Sequence, residues 1–469
     1  MMEKGNTTIY SIEEVHKHNT VQDNWIVVDG KVYDISSWAN KHPGGTMPLL
    51  GSAGKDATDM IELFHGKVVY KFLPNFYIGE VEKVKPKTIQ DQKSLNFLRD
   101  YRELNQQLKQ DGMYKIRYSY QVVKTLILMG LWALTWALYI YGYQYESVSL
   151  QVLGSVSLAL YLQQTAFMGH DSGHNLISHN RIFDSIYGVI IGNFCTGIGM
   201  CWWKDSHNCH HVVTNLVSYD PDIQHVPFMS LTNKYFKNVW SFYHERVLKW
   251  DRFGKFCVSY QHYLFYPIMG FARYFLYVQT WLMLLNLSPR RAEWRKMEIV
   301  ALCGYYSWLS YMLSFCLSWK LVLFSILASH FLAGILHIQI TLSHFTMELL
   351  DGNDVYKVDN FTENFLETQI RTTQDISCPW YMDWFHGGLQ FQLEHHLFPR
   401  VPRHNLRKLR EQYFIPLLKK HNKPDLHMDF ITANKYLMKV LKKVANEAQD
   451  GKFVKFQDSM LWEGIMMKG

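Results

Sequence analysis

Leu158-Ala-Leu-Tyr-Leu-Gln-Gln-Thr-Ala-Phe-Met-Gly-His170-Asp-Ser-Gly-His174 joins the end of an apolar run directly to two histidines four residues apart. The run belongs to a stretch, about 148–168, of roughly 20 mostly apolar residues, enough to cross a hydrocarbon core. The histidine spacing puts both side chains on one face of a helix. Two further clusters repeat it, His207-Asn-Cys-His210-His211 and Gln392-Leu-Glu-His395-His396. Neutral imidazole is a ligand for iron, zinc or copper. Clusters so distant in sequence share one metal centre only if the fold brings them together.

The stretches between them predict how. A first span is expected over about 120–141, through Leu126-Ile-Leu-Met-Gly-Leu-Trp-Ala-Leu134, and a second over 148–168. Their connection, Gly142-Tyr-Gln-Tyr-Glu-Ser147, carries no Lys or Arg, whereas Lys109, Lys115, Arg117 and Lys124 precede the first span. The positive-inside rule puts that loop in the lumen and His170 in the cytosol. A second pair is expected over about 299–317 and 320–342. Two interrupted apolar stretches, about 182–203 and 256–287, read as interfacial or re-entrant, since one extra crossing would separate the clusters across the bilayer. Residues 350–469 predict a cytosolic cap with basic helices near the membrane. The fold class is thus a multi-span all-α membrane protein of about four transmembrane helices with a helical cap, preceded by a small α+β domain.

That domain is residues 8–82. Trp25-Ile-Val-Val28 and Lys31-Val-Tyr33 flank Asp29-Gly30, a strong hairpin signal. Residues 83–110 read as a Lys/Pro/Gln linker followed, over 94–111, by an amphipathic helix with Leu95, Leu98, Tyr101, Leu104 and Leu108 at helical spacing. Residues 115–440 form the membrane domain and 441–469 a tail. The net charge of +7 is spread out rather than gathered in a stripe, which excludes a nucleic-acid partner. Seven cysteines without a C-x-x-C pair favour reduced thiols facing the cytosol. The polar first thirty residues carry no signal-peptide core, so the amino terminus is expected to be cytosolic.

Within the small domain, Trp38-Ala-Asn-Lys-His42-Pro-Gly-Gly45 precedes Gly54-Lys-Asp-Ala-Thr58 and Phe64-His65-Gly66. This text resembles cytochrome b5, which implies haem b with His42 and His65 as axial ligands. A haem filled on both sides carries electrons and does not bind oxygen. The three boxes, together with Trp202-Trp203, Asp220-Pro-Asp222-Ile-Gln-His225 and Asp383-Trp-Phe-His-Gly-Gly-Leu-Gln-Phe-Gln-Leu-Glu-His-His-Leu-Phe-Pro399, resemble the membrane fatty-acid desaturase superfamily. Gln392 at the head of the third box, with the fused haem domain, is similar to the front-end desaturases. The resemblance implies two non-haem irons held by His170, His174, His207, His210, His211, Gln392, His395 and His396. It implies one more ligand from the fourth span, with His344 the candidate and His337 its rival. Asn175, where many sphingolipid relatives carry histidine, is expected behind the ligands. Asp171 and Glu394 are expected to orient imidazole N–H groups, and His179, His225 and His386 to organise loops or the outer shell.

The implied reaction uses O2 and electrons passed from NADH through NADH-cytochrome b5 reductase to the haem and then the irons, at the endoplasmic reticulum. The partners are a lipid substrate, the bilayer and that reductase. Tyr219-Asp-Pro-Asp-Ile-Gln-His-Val-Pro-Phe228 resembles the sphingolipid long-chain-base Δ8 enzymes most, with Δ6 (or Δ5/Δ8) acyl desaturases next. Hydroxylation on the same scaffold and a membrane haem electron carrier without desaturase activity are the other readings.

Overall fold

The computed structural model describes residues 7–451 except 67, 289, 353 and 354. At the amino end five short strands form one sheet. Ile9–Tyr10 runs parallel to Tyr77–Val81, which pairs antiparallel with Lys31–Asp34, itself antiparallel to Trp25–Val28, with Lys55–Asp56 parallel at the far edge. Asp29 and Gly30 both have positive φ, 51° and 74°, as the expected two-residue hairpin turn requires. Thr58–Phe64 and shorter helical turns cover the sheet.

The linker helix starts earlier than its apolar spacing suggests, running Ile89–Gln110. Thr88 caps it, accepting from Asp91 N at 3.0 Å while Asp91 accepts from Thr88 N at 2.9 Å, a reciprocal box that satisfies orphan amides a turn before the first buried side chain. Its buried stripe of Phe97, Tyr101, Leu104 and Leu108 joins a core that also contains residues of the haem-type domain and of the third box.

All four expected spans are helical, over Tyr118–Gln144, Val148–Gly173, Arg295–Leu313 and Trp319–Ala333 continuing into Ile335–Thr341. Among the described residues, two of them, Tyr118–Gln144 and Trp319–Thr341, are by themselves long and apolar enough to cross a membrane. Only 17% and 33% of their apolar windows is buried, so they turn hydrocarbon outward, unlike core helices of a soluble protein. Polar residues dilute the other two: Gln151, Ser155, Ser157, Gln163 and Gln164 are all buried in Val148–Gly173, and Glu298 in Arg295–Leu313. That dilution is the reason four spans are not evident from the helices alone.

The buried hydroxyls tie the bundle together. Thr135 Oγ1 meets Ser157 Oγ at 2.8 Å, and Ser155 Oγ meets both Tyr139 Oη and Ser325 Oγ at 3.1 Å. Small residues with polar contacts are how helices approach closely where apolar burial alone gives little drive.

Of the two interrupted stretches, the first runs as Arg181–Gly188 continued by a π-helical segment, Val189–Phe194, and breaks at residues 197–199 before Met200–Val212. The second is a continuous helix, Gln261–Leu284, with Pro267 inside. In the cap, helix Phe430–Asp450 buries Leu437, Leu441, Val444 and Ala448, so the region expected to be a tail begins inside a packed helix. Its amphipathic period simply continues past residue 441. Residues 452–469 of that tail lie outside the described residues.

Candidate metal centre and haem pocket

Three helices and one loop deliver the clustered imidazoles. His170 lies in the last turn of Val148–Gly173 and His174 caps it. His207, His210 and His211 sit on Met200–Val212, and His395 and His396 on Gln392–Leu397. His344 follows the end of Ile335–Thr341. The third box reaches the first through Gly387 and Gly388, at φ 62° and 88°. A Cβ on Gly387 would stand 2.3 Å from the Phe167 ring, so only glycine lets this turn fold back onto the helix carrying His170.

The nitrogens gather in two groups, each with its candidate ligand atoms within 4.8 Å of one another: His170, His174, His207 and His395, and then His210, His344 and His396. His211 stands between them, its ring 4.8 Å from His174 and 4.2 Å from His396. Gln392 Nε2 lies 3.4 Å from His396 Nε2, and Gln392 Oε1 is buried without a partner. The rival His337 joins neither group.

Both ring nitrogens of His170, and one each of His174, His210, His211, His344 and His395, are buried without hydrogen-bond partners. Buried polar atoms are otherwise almost always paired. So many orphaned imidazole nitrogens converging on one place fit metal ions as their missing partners. Burial, reinforced by mutual repulsion, holds His207, His211, His395 and His396 well below the usual imidazole range, hence neutral and free to ligate. His210 differs: burial lowers its pKa, but the charges of Asp220 and Asp222 and the Asp220 hydrogen bond outweigh it and raise it to about 9. A cation at Nε2 would take the place of that proton.

The groups that orient these rings are not the ones expected. Asp171 pairs with Arg403 at 2.6 Å and stays 3.8 Å from His170 Nδ1. Glu394 pairs with Arg410 at 3.0 Å, and Arg410 also holds Asp375. A buried carboxylate is stabilised most by a guanidinium, and each of these has one. The imidazoles lean instead on Asp220 (3.0 Å from His210 Nδ1), Gln369 (Oε1 3.0 Å from His396 Nδ1) and the Thr372 carbonyl (3.2 Å from His344 Nδ1). Asp220 stood in a run already singled out, but Gln369 and Thr372 carry no signal in the sequence. His179 does organise a loop, with ring nitrogens 2.8 Å from the carbonyls of Asn175 and Tyr114. His386 Nδ1 lies 3.3 Å from Gln339 Nε2, and the His225 ring packs on Phe345. Asn175 takes a left-handed turn at φ 56° just past the first box.

In the small domain, the His42 and His65 rings face each other with centroids 5.9 Å apart. That is the spacing of two imidazoles across one ion at metal–nitrogen distances of about 2 Å. Their Nδ1 atoms lie against the Gly45 carbonyl (2.8 Å) and the Ile61 carbonyl (3.3 Å), which leaves each Nε2 for the space between. Burial, aided by the neighbouring His42, lowers His65 to about 4, so it is neutral at physiological pH. The pair fits a haem iron.

Residues 147–427 match the family described as Fatty acid desaturase, and residues 11–82 match the Cytochrome b5-like Heme/Steroid binding domain. The chain belongs to the fatty acid desaturase family. The matched region spans all three boxes and His344. Among its relatives, the Delta(8)-fatty-acid desaturase of Helianthus annuus is 38% identical over 93% of this chain and 92% of its own length. The Acyl-lipid (9-3)-desaturase of Borago officinalis is 35% identical over 97% and 98%. The Delta 8-(E)-sphingolipid desaturase of Komagataella phaffii is 36% identical over 82% and 67%. The desaturase is therefore an oxidoreductase of the front-end type, with its haem-type domain fused at the amino end.

Proposed function

We propose that this desaturase introduces a double bond at the Δ8 position of a sphingolipid long-chain base. The observation that carries the reading is the pairing, in one chain, of the two convergent imidazole groups with a haem-type histidine pair. His170, His174, His207, His210, His211, His395 and His396, with His344 and Gln392, would hold two irons. His42 and His65 would hold haem b. The irons when bound would supply the oxidant needed to remove hydrogen from an unactivated methylene pair. Per turnover, one O2, two external electrons and two protons, with two hydrogens from the substrate, give two waters and one carbon–carbon double bond. The external electrons would come from NADH through NADH-cytochrome b5 reductase, and the tether keeps donor near acceptor.

The chain's own contribution is to exclude water and to seat the lipid. His211 and His396 are 0% exposed, so the reacting carbons would meet no bulk solvent. Phe167, three residues before His170, belongs to an apolar cluster with Leu336 and Leu389, against which Ala166 and Ile340 pack, and this lining is suited to an alkyl chain. The outward apolar faces of Tyr118–Gln144 and Trp319–Thr341 support a bilayer setting; four crossings, with the amino terminus and boxes cytosolic at the endoplasmic reticulum, complete this reading.

The second reading is Δ6 (or Δ5/Δ8) desaturation of an acyl chain, favoured by the near full-length similarity to the Borago acyl-lipid enzyme. Expression in a host lacking these products, with long-chain bases and acyl methyl esters analysed separately, divides the two. A new Δ8 double bond in the bases is expected. Unsaturation confined to the acyl pool establishes the second reading, and none in either pool overturns both.

A further inference from the structure

The haem-type domain is not merely tethered here; it is docked on the box that carries His211. Asp56 N donates to the Tyr356 carbonyl at 2.9 Å, and Arg290 Nη1 to Thr46 Oγ1 at 2.9 Å. Arg102 of the linker helix makes a two-pronged ion pair with Asp59 at 2.7 and 2.9 Å. Gly51 approaches the end of the second-box helix so closely that a Cβ there would stand 2.5 Å from Val213 Cγ1.

Within this seam two contacts reach the histidines themselves. Phe64, the residue bonded to His65, stands edge-on to the His211 ring, with centroids 5.8 Å apart at 74°. Arg400, four residues past His396, donates from Nη1 to the His65 carbonyl at 3.1 Å. The same short segment therefore carries a haem-type ligand on one side and touches an imidazole of the metal groups on the other.

We propose that Phe64 is the electron-entry contact of this desaturase, positioning the haem held by His65 for transfer to the iron held by His211 within a single chain. The inference rests on the two-centre reading above. Each crossing takes one electron from ferrous haem, leaving it ferric, and reduces one ferric ion to ferrous. Two crossings supply one turnover, and the NADH-dependent flavin reductase restores the haem after each. An aromatic ring suits the position because it packs against the His211 imidazole from the haem-type side without desolvating a polar group, and ring pairs favour this edge-on packing. Arg400 holds the His65 backbone in register with the third box.

The test uses the full-length holoenzyme, anaerobic and with its irons ferric, so no lipid substrate is needed. A photoexcited flavin reduces the haem in a flash, and reoxidation is followed at the haem absorption band. In the natural chain the decay is expected to be first-order and unchanged on dilution. Phe64→Leu keeps the apolar packing but removes the ring, and is expected to slow the decay by about three- to tenfold. Phe64→Tyr should restore it. Gly51→Val, which touches neither set of ligands, should slow it by wedging the seam open. Haem spectrum and iron content are expected to stay intact in all three, which separates lost positioning from lost fold. A decay unchanged in Phe64→Leu, or one that slows on dilution of the natural chain, overturns the proposal while leaving the two-centre reading in place. A natural chain without non-haem iron overturns both.

Discussion

Asp220 Oδ2 stands 3.0 Å from His210 Nδ1, both side chains buried, and the contact settles which ring nitrogen turns toward His344 and His396. Asp220 is held in turn by the amides of Asn215 at 2.7 Å and Asp222 at 2.8 Å. Asp220→Asn keeps the size but loses the charge that fixes the tautomer. Loss of such a partner typically weakens metal binding about 10–100-fold. Iron retention against a graded chelator should fall by that order, and unaltered retention would remove Asp220 from the ligand-orienting role.

His344 and His337 are separated by two helical turns and by their surroundings. His344 lies 4.6 Å from His210 and 4.9 Å from His396, ring to ring, whereas His337 meets neither group. His344→Ala should therefore lower the non-haem iron from two toward one per chain. His337→Ala should leave it unchanged. The reverse pattern in metal analysis would transfer the role to His337.

The two histidine systems should fail independently. His42→Ala is expected to abolish the haem spectrum and NADH-driven activity while the irons remain bound. His211→Ala is expected to lose non-haem iron and activity while the reduced haem spectrum survives. Normal desaturation by either variant would contradict a relay through two centres.

Asp100 gives the cap a pH dependence of known sign. Its carboxylate accepts from Lys420 Nζ and His421 Nε2, each at 2.7 Å. The Lys420 bond above all, with those from His421 and Arg99, overcomes the cost of burial and holds the carboxyl well below its ordinary 3.8. The folded chain then binds fewer protons than the unfolded one in acid, so this stabilisation is complete above about pH 4 and is lost as pH falls through the folded value. Protection of the segment Ile415–Lys420, its exchange slowed relative to the intrinsic amide rate at each pH, should fall on going from about pH 5 to about pH 3. Asp100→Asn should exchange faster already at neutral pH, with that acid step removed; an identical acid step in the variant would show that the contact is not responsible.

Much of the site was legible because spacing along a helix is a local property. His207, His210 and His211 share a face by 3.6-residue periodicity, and no fold is needed to see it. His42 and His65 were legible as a pair through the resemblance of the surrounding text to cytochrome b5. The helices of the four expected spans were legible too, but with buried glutamines and serines in Val148–Gly173 and Glu298 in Arg295–Leu313, only Tyr118–Gln144 and Trp319–Thr341 are apolar enough by themselves to cross, among the described residues. Asp171 and Glu394 take partners other than the expected ones for a different reason. Adjacency in sequence suggested that they serve their neighbouring imidazoles, while Arg403 and Arg410, brought in by the cap, offered a stronger electrostatic match.

The apolar run ending at His170 and His174 thus determined, by itself, that a long helix presents two imidazoles at its end. The same local logic supplied the other boxes, while the haem-type pair and the reaction class came from what the family resemblance implies. Tertiary structure alone decided that His344 and not His337 meets His210, that Gln369 and Thr372 orient the rings, and that Phe64 lies against His211. Those are contacts between residues far apart in the chain. They depend on which helices pack and at what depth, and helical periodicity carries no information about either.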